Sequence, residues 1–230
     1  ERVDIYISGG LNIQTGNGNR ENSWLFNSES GALLWENDAS DTLLPLRSVG
    51  PTKLYDAVAA DVNSDGFDDV IMISQVWIVA LDGKTGKVLY LPQELSYAFQ
   101  TGTNRPYLWS AYGTLTYADL DNDGNKDLLV SNSSGYWGGL KLEHNFNTPF
   151  SGMWRTNIRL NNNNYAIAAD VDGENGIEVV VPDGTVKIFD GATGVLKKED
   201  LRFINAKVIV AAKSKDNLSK HLLFVVDQGR

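Results

Sequence analysis

Carboxylates recur at every second position in one short stretch of the chain, ADLDNDGNKDLLV, between Ala118 and Val130. Such a run, followed by a glycine and a further carboxylate, offers the hard oxygen ligands that Ca²⁺ prefers. With the first aspartate as position 1, side-chain ligands fall at positions 1, 3, 5 and 9. Glycine permits the sharp turn at position 6, and position 7 offers its backbone carbonyl. The predicted calcium ligands of this middle loop are Asp119, Asp121, Asp123, Asn125 and Asp127.

Two other stretches repeat this spacing. The upstream loop, in AADVNSDGFDDVIMIS, has the predicted ligands Asp61, Asn63, Asp65, Phe67 and Asp69. The downstream loop, in AADVDGENGIEVVV, has the predicted ligands Asp170, Asp172, Glu174, Gly176 and Glu178, with Asn175 where the other loops have glycine. The sequence therefore predicts two calcium ions, at the upstream and middle loops, and leaves a third ion at the downstream loop open.

A fourth copy, VAAKSKDNLSKHLLFVVD, keeps the apolar flanks and loses the ligands. Lys213, Lys215, Asn217 and His221 stand at its positions 1, 3, 5 and 9. Since these side chains do not form an oxygen cage, we expect no calcium there.

Composition limits the function classes. Of 29 acidic residues, twelve lie in the three acidic loops, and the net charge of the 230-residue chain is −9. This balance argues against nucleic acid as a partner. Cysteine is absent, which excludes disulfides and thiolate metal sites. No apolar run is long enough for membrane insertion. Because loops of this type often work at extracellular calcium concentrations, we expect a secreted or cell-surface protein.

The spacing of the loops predicts the fold. An apolar or alternating run follows each loop, and hairpins with turns rich in Gly, Ser, Thr and Asp lie between them, as in VWIVALDGKTGKVLYL and TVKIFDGATGVLKK. The repeating unit is then four antiparallel strands, recurring roughly every 40 to 50 residues, which is typical of a β-propeller blade. The sequence predicts an all-β propeller domain or fragment over 1–230, with about four blades.

The predicted blade pieces are approximately 1–37, 55–91, 112–155, 165–199 and 206–228. The first holds three strands of its blade and the last holds two. We therefore expect the chain to be a piece of a larger propeller.

The loops leading into apolar strands resemble the FG-GAP and VCBS-type repeats of calcium-binding β-propellers, such as the integrin alpha-subunit head. The LDGKTGKVLY and FDGATGVLKK hairpins are also similar to blades of pyrroloquinoline-quinone-like propellers. The sequence departs from the FG-GAP pattern after the second strand, where Ser74, Asn132 and Pro182 stand near the expected Gly-Ala-Pro. The resemblance implies a calcium-stabilised scaffold, and because of these departures it does not imply an integrin-like partner.

An EF-hand is the main alternative for the acidic loops. It requires a glutamate at position 12, where this chain has Met72, Val130 and Val181, and it requires flanking helices. Both requirements argue against it.

Alternating connections place the acidic loops and the tight turns on one face of a blade, so the longer connectors lie on the other. These connectors are expected at 9–22, 37–54, 92–110 and 133–137. Long loops on a rigid scaffold often bind ligands. Five residues there are predicted to form a platform for a carbohydrate or protein ligand: Arg105, Tyr107, Trp109, Tyr136 and Trp137. The alternative is that these aromatic rings pack between blades, as expected for Trp35, Trp77 and Trp154.

Two function classes follow. The first is a non-catalytic, calcium-stabilised module for adhesion or ligand binding, with no catalytic residues. The alternative is the propeller of a polysaccharide lyase similar to rhamnogalacturonan lyases, or of another carbohydrate-active enzyme. The sequence lacks an evident cluster of basic and acidic residues for such a reaction, and this favours the binding module.

Overall fold

The computed structural model describes residues 5–11, 20–37, 54–74, 77–90, 93–94, 114–131, 135–144, 147, 149–156, 158–160, 166–174, 176–202, 206–213 and 221–227. Within these ranges every regular element is a β-strand. None of the described residues belongs to a helix long and apolar enough to cross a membrane.

The described residues form seventeen strands. Their bounds are β1 Ile5–Leu11, β2 Arg20–Phe26, β3 Leu33–Asn37, β4 Leu54–Ala60, β5 Asp69–Ser74, β6 Trp77–Leu81, β7 Gln93–Glu94, β8 Leu115–Ala118, β9 Asp127–Ser131, β10 Trp137–Leu142, β11 Phe150–Arg155, β12 Ile167–Ala169, β13 Glu178–Asp183, β14 Thr185–Asp190, β15 Leu196–Asp200, β16 Ala206–Lys213 and β17 His221–Asp227.

The strands form five antiparallel sheets in which sequence neighbours pair. The first sheet is β1-β2-β3, the second β4-β5-β6-β7, the third β8 to β11, the fourth β12 to β15, and the fifth β16-β17. The first strands lie side by side, since β8 contacts both β4 and β12, and β12 contacts β16. Four-stranded blades arranged around their first strands confirm the predicted fold class, a partial β-propeller.

The second strand of each complete sheet is buried on both faces. In β5, Ile71 packs towards the third sheet, whereas Met72 packs towards the first. In β13, Val179 packs towards the third sheet and Val180 towards the fifth. Because successive side chains of a strand point to opposite faces, a strand between two neighbouring sheets needs apolar residues at every position. This explains the continuous apolar runs after the acidic loops.

Two tryptophans fasten one sheet to the next. The indole nitrogen of Trp35, in β3, donates a hydrogen bond of 2.8 Å to the carbonyl of Gly83. That of Trp154, in β11, donates one of 2.6 Å to the carbonyl of Gly191. Trp154 also lies so close to Gly194 that a Cβ there would come within 2.3 Å of the ring. Both rings are buried, as predicted, and each holds the tight turn of the following sheet.

Among the described residues, polar side chains rather than a tryptophan join the second and third sheets. The side-chain amide of Gln93, in β7, donates to the backbone carbonyl of Phe150 at 2.7 Å and accepts from its backbone N–H at 2.9 Å. Asp56, in β4, accepts a hydrogen bond of 2.7 Å from the backbone N–H of Leu115. Tyr90 follows the tight turn of the second sheet, at the place that Trp35 has in the first sheet. Its hydroxyl donates a hydrogen bond of 3.3 Å to the carbonyl of Val62, in the acidic loop of its own sheet.

Some strand bounds differ from the predicted ones. The last strand of the second sheet is Gln93–Glu94, whereas the sequence placed it near Val88, which makes an isolated bridge to Leu81. The pairing of β1 with β2 extends from Ile5 opposite Phe26 to Leu11 opposite Arg20. The predicted connector at 9–22 is therefore too long, because backbone pairing continues into its glycines.

Candidate metal sites in the acidic loops

Each acidic loop connects the first strand of a complete sheet to the second. The upstream loop joins β4 to β5, the middle loop joins β8 to β9, and the downstream loop joins β12 to β13. Position 9 is the first residue of the second strand in all three. Met72, Val130 and Val181, the residues at position 12, lie inside buried strands. Strands on both sides exclude the EF-hand alternative.

The middle loop curls around the carboxylate at position 1. Asp119 accepts hydrogen bonds from the backbone N–H groups of Asp123 and Gly124, at 3.1 and 3.0 Å. Asp121 accepts a second one from Asp123 at 3.2 Å, and the Asp123 side chain accepts one from Asn125 at 2.8 Å. These bonds turn the carboxylates inward, where they can share one cation.

The upstream loop repeats this arrangement. Asp61 accepts from the backbone N–H groups of Asp65 and Gly66 at 3.0 and 2.9 Å, and Asn63 also accepts from Asp65, at 2.9 Å. Phe67, whose carbonyl is a predicted ligand, donates its N–H to Asp65 at 3.0 Å, and its ring is 53% exposed. The match shows that the ligand spacing fixes a common loop conformation.

The residue at position 4 of each acidic loop has a positive φ, which the spacing of the acidic residues did not reveal. Ser64 and Asn122 stand there with φ of 61° and 59°, and Gly173 has φ of 78°. Asparagine and glycine enter this left-handed region at low cost, whereas serine pays more. The predicted turn at position 6 is present in the first two loops, where Gly66 and Gly124 have φ of 85° and 94°.

The carboxylate at position 9 is buried in each loop, and its partners differ. Asp69 is fully paired, since its two oxygens accept the backbone N–H groups of Val62 and Gly83 at 3.1 and 2.9 Å. In Asp127, one oxygen accepts the N–H of Leu120 at 3.0 Å, and Oδ1 is buried and accepts no hydrogen bond from the described residues. A buried, unpaired carboxylate oxygen costs free energy unless a cation or donor reaches it.

Carboxylate oxygens of Asp119, Asp121 and Asp127 lie within 4.8 Å of one another. Burial, the largest influence, raises the pKa of Asp127 to about 6. Burial likewise raises the pKa of Asp69. The middle loop thus converges three carboxylates on one point, and the innermost has a free oxygen.

Lysines from the hairpins reach the rims of the first two loops. Lys84 lies 3.1 Å from Asp65, and this hydrogen bond is the main reason that the pKa of Asp65 falls below its usual value. Lys141, in β10, contacts Asp121 at 2.9 Å and Asp123 at 2.5 Å. Its hydrogen bond to Asp123 lowers the pKa of that carboxyl group.

The downstream loop brings together carboxylates of Asp170, Asp172 and Glu178, also within 4.8 Å of one another. Glu178 is 3% exposed and accepts the N–H of Val171 at 3.0 Å. Its other oxygen accepts a hydrogen bond of 2.9 Å from Lys197. Glu174, the predicted ligand at position 5, is exposed and is not one of these three converging carboxylates.

The predicted ligand platform is only partly described. Arg105, Tyr107 and Trp109 lie outside the described residues. Trp137 is 1% exposed and packs against the fourth sheet, so its ring cannot form part of an exposed platform. The sequence does not separate the two roles because an aromatic residue at the start of a strand suits either.

Tyr136 is half-buried and packs against the core between the second and third sheets. The guanidinium of Arg155 lies 5.5 Å from the centre of its ring. Arg155, an exposed residue at the end of β11, was missed by the sequence reasoning, since only pairing in the third sheet brings it beside Tyr136. Trp77, predicted to be core, is partly buried and packs against the core between the first two sheets.

The lysines at the loops were also missed. Lys141 is 20 residues from Asp121, and Lys197 is 25 residues from Asp172. Neither spacing belongs to the repeat. The available signal is that each hairpin following an acidic loop contains a lysine, and only the fold shows which carboxylates it contacts.

No protein-family model and no curated protein matches the sequence. Solved structures with a similar fold include the exotype rhamnogalacturonan lyase YesX, with a TM-score of 0.52 and 17% identity over 90% of this chain and 34% of the lyase. A lectin of Agrocybe aegerita that recognises non-reducing terminal N-acetylglucosamine has a TM-score of 0.51 and 10% identity, over 96% of this chain and 61% of the lectin. BBS1N, in complex with ARL6DN, has a TM-score of 0.52 and 10% identity, over 96% and 68%.

At these identities the similarity concerns the fold alone. The chain spans less than two thirds of the length of the lyase and of the lectin. The chain therefore has the architecture of a β-propeller, with acidic loops on one face of its blades.

Proposed function

We propose that this chain is a non-catalytic, calcium-stabilised propeller module of an extracellular or cell-surface protein, which binds a protein or carbohydrate ligand on the face opposite the acidic loops. The observation that carries the calcium part is the free Oδ1 of Asp127, buried beside two other carboxylates. Calcium would pair with this oxygen and offset the repulsion among the three charges.

The upstream loop supports a second ion, because Asp61 and Asn63 accept the same backbone hydrogen bonds from positions 5 and 6 as Asp119 and Asp121 do. Ions at these loops would stabilise the connection between the first two strands of each sheet. Their role is structural, as in other sites where metal binding adds to folding free energy.

Thermal unfolding in EDTA and in excess Ca²⁺ tests this role. At about one hundred times its dissociation constant, one ion adds about 2.7 kcal/mol of stability, which corresponds to a rise in Tm of about 5 to 10 °C for a chain of this size. Asp127→Asn should lose the part of this rise that the middle loop contributes. The matched control is Asp56→Asn, which changes a carboxylate outside the loops. A melting curve identical in EDTA and Ca²⁺ would contradict the calcium assignment.

The opposite face carries Tyr136 and Arg155 in its described part. A half-exposed aromatic ring beside a guanidinium can stack on a sugar ring and donate hydrogen bonds to hydroxyl groups. The fold is shared with a lectin and a lyase, so N-acetylglucosamine-terminated oligosaccharides and rhamnogalacturonan are reasonable first probes.

Titration of these probes tests the ligand face. We expect binding without cleavage, weakened about tenfold by Tyr136→Ala or Arg155→Ala, because residues of this type often dominate binding energy. Lys198→Met, at an exposed position on β15, serves as the control. Release of new reducing ends or unsaturated products from rhamnogalacturonan would instead support the lyase alternative.

A further inference from the structure

The ammonium of Lys197 contacts two of the three carboxylates that converge in the downstream loop. Its Nζ is 2.6 Å from Asp172 Oδ2 and 2.9 Å from Glu178 Oε1. Since Oε2 of Glu178 accepts the backbone N–H of Val171, both oxygens of this buried carboxylate are paired. A cation is thus already present at the point where the loop's ligands converge.

The lysine at the middle loop has a different position. Lys141 contacts Asp121 and Asp123, both of which are partly exposed, and leaves Oδ1 of buried Asp127 unpaired. Lys141 therefore lies at the rim, and the inner part of the cluster is free for an ion. Lys197 contacts the innermost carboxylate instead.

Part of the downstream loop's backbone follows the other two loops. Asp172 accepts the N–H of Glu174 at 2.9 Å, as Asp121 accepts that of Asp123 at 3.2 Å. Asp170, at position 1, accepts the N–H of Gly173 at 2.7 Å. The lysine contacts, rather than this part of the backbone, therefore distinguish the downstream loop.

A lysine ammonium is a compact point charge with three donors, and it neutralises carboxylates without an ion from solution. To bind Oε1 of Glu178, calcium would have to displace Lys197 from that oxygen. Lys84 and Lys141 contact only partly exposed carboxylates of their loops, so neither competes for the buried carboxylate at position 9.

We propose that Lys197 takes the place of calcium in the downstream loop, so that this loop is closed without metal. The inference rests on the proposed function, because it compares a downstream loop that holds an ammonium with upstream and middle loops that hold calcium. It would also hold, as a statement about the lysine, if the other loops bound no ion.

Counting bound calcium tests this proposal. Native mass spectrometry of Lys197→Met should show one more calcium ion than the unsubstituted chain, because the freed carboxylates can now bind metal. In EDTA the same variant should melt about 5 °C lower, since Glu178 loses its partner. The neighbouring Lys198→Met should match the unsubstituted chain in both measurements, and Lys197→Arg should gain no ion.

A folded Lys197→Met variant that gains no ion would overturn the proposal. If that variant does not fold, Asp172→Asn in the otherwise unchanged chain decides. An unchanged calcium count supports the proposal, and a loss of one ion overturns it. The proposed function fails separately, if the unsubstituted chain binds no calcium at any loop; the gain of one ion in Lys197→Met would still support the role of the lysine.

Discussion

The middle and downstream loops have nearly the same spacing of acidic residues, but they differ in whether the buried carboxylate at position 9 has a lysine as its partner. In the middle loop, Asp127 is buried with an unpaired oxygen, and Lys141 contacts the rim. In the downstream loop, Glu178 is equally buried and has Lys197 as its partner. Carboxylates that occupy the same positions in a repeat can therefore have different partners, because a residue from another strand decides which charge is paired.

The tight turns explain why Asp127 has an unpaired oxygen and Asp69, at the same position of the upstream loop, does not. In the second sheet, the N–H of Gly83 donates to Asp69, and in the fourth sheet the N–H of Gly191 donates to the carbonyl of Ile177 at 2.9 Å. Both glycines also accept a hydrogen bond from a tryptophan of the preceding sheet. Within its described residues, the third sheet has no such turn beside its loop. Asp127 consequently lacks the donor that Asp69 has.

The largest expected effect concerns the tryptophan that supports the downstream loop. Trp154→Ala should lower the free energy of unfolding by about 3–5 kcal/mol, because it removes a buried ring from between two sheets. Trp154→Phe should lose about 1 kcal/mol, since it keeps most of the packing and loses the hydrogen bond to Gly191. Urea unfolding measures both. If Trp154→Phe also abolished calcium binding, the two loops would not be independent.

A smaller effect is expected at position 9 of the downstream loop. Glu178→Gln keeps the side chain's shape and removes the charge that pairs with Lys197. Stability should fall by about 1.5–3 kcal/mol, and equally in EDTA and in Ca²⁺. Asp127→Asn is the matched substitution in the middle loop, where the loss should appear only in Ca²⁺. A calcium-dependent loss in Glu178→Gln would contradict the difference between the loops.

The smallest effect compares two glycines. Gly124 and Gly176 have φ of 94° and 132°, and a Cβ at either would meet no atom within 4 Å. Substitution by alanine should therefore cost about 1 kcal/mol at each through backbone strain alone. Gly124→Ala should also weaken calcium binding, and Gly176→Ala should not. Titration calorimetry measures the calcium affinity of both variants. Equal effects would contradict the proposed difference between the middle and downstream loops.

The fold was predictable because its signal is repeated and local. Acidic loops, the apolar runs after them and the turns rich in Gly and Thr each occur several times, and each has a period that follows from strand geometry. The errors occur where the repeat is irregular. Strand β7 lies at Gln93–Glu94, beyond the predicted strand, and β1 pairs as far as Leu11.

The site was predictable in its carboxylates and not in its counter-charges. The spacing of Asp119, Asp121 and Asp127 follows from loop geometry, and these residues do converge. For Trp137 the sequence left open a ligand platform and packing between blades; the ring is buried, because its side chain falls on the face of β10 that meets the fourth sheet. Arg155 and Lys197 act through partners that are far from them in sequence.

By itself, the sequence determined the repeating unit, the all-β fold and the positions of the acidic loops, since these depend on interactions within a few residues. The tertiary structure alone decided which carboxylates are buried and which are paired. Those properties depend on residues from neighbouring strands and sheets: Gly83 at Asp69, Lys197 at Glu178, and no donor at Oδ1 of Asp127. Burial makes such pairing decisive, because an uncompensated charge costs far more inside a sheet than in water.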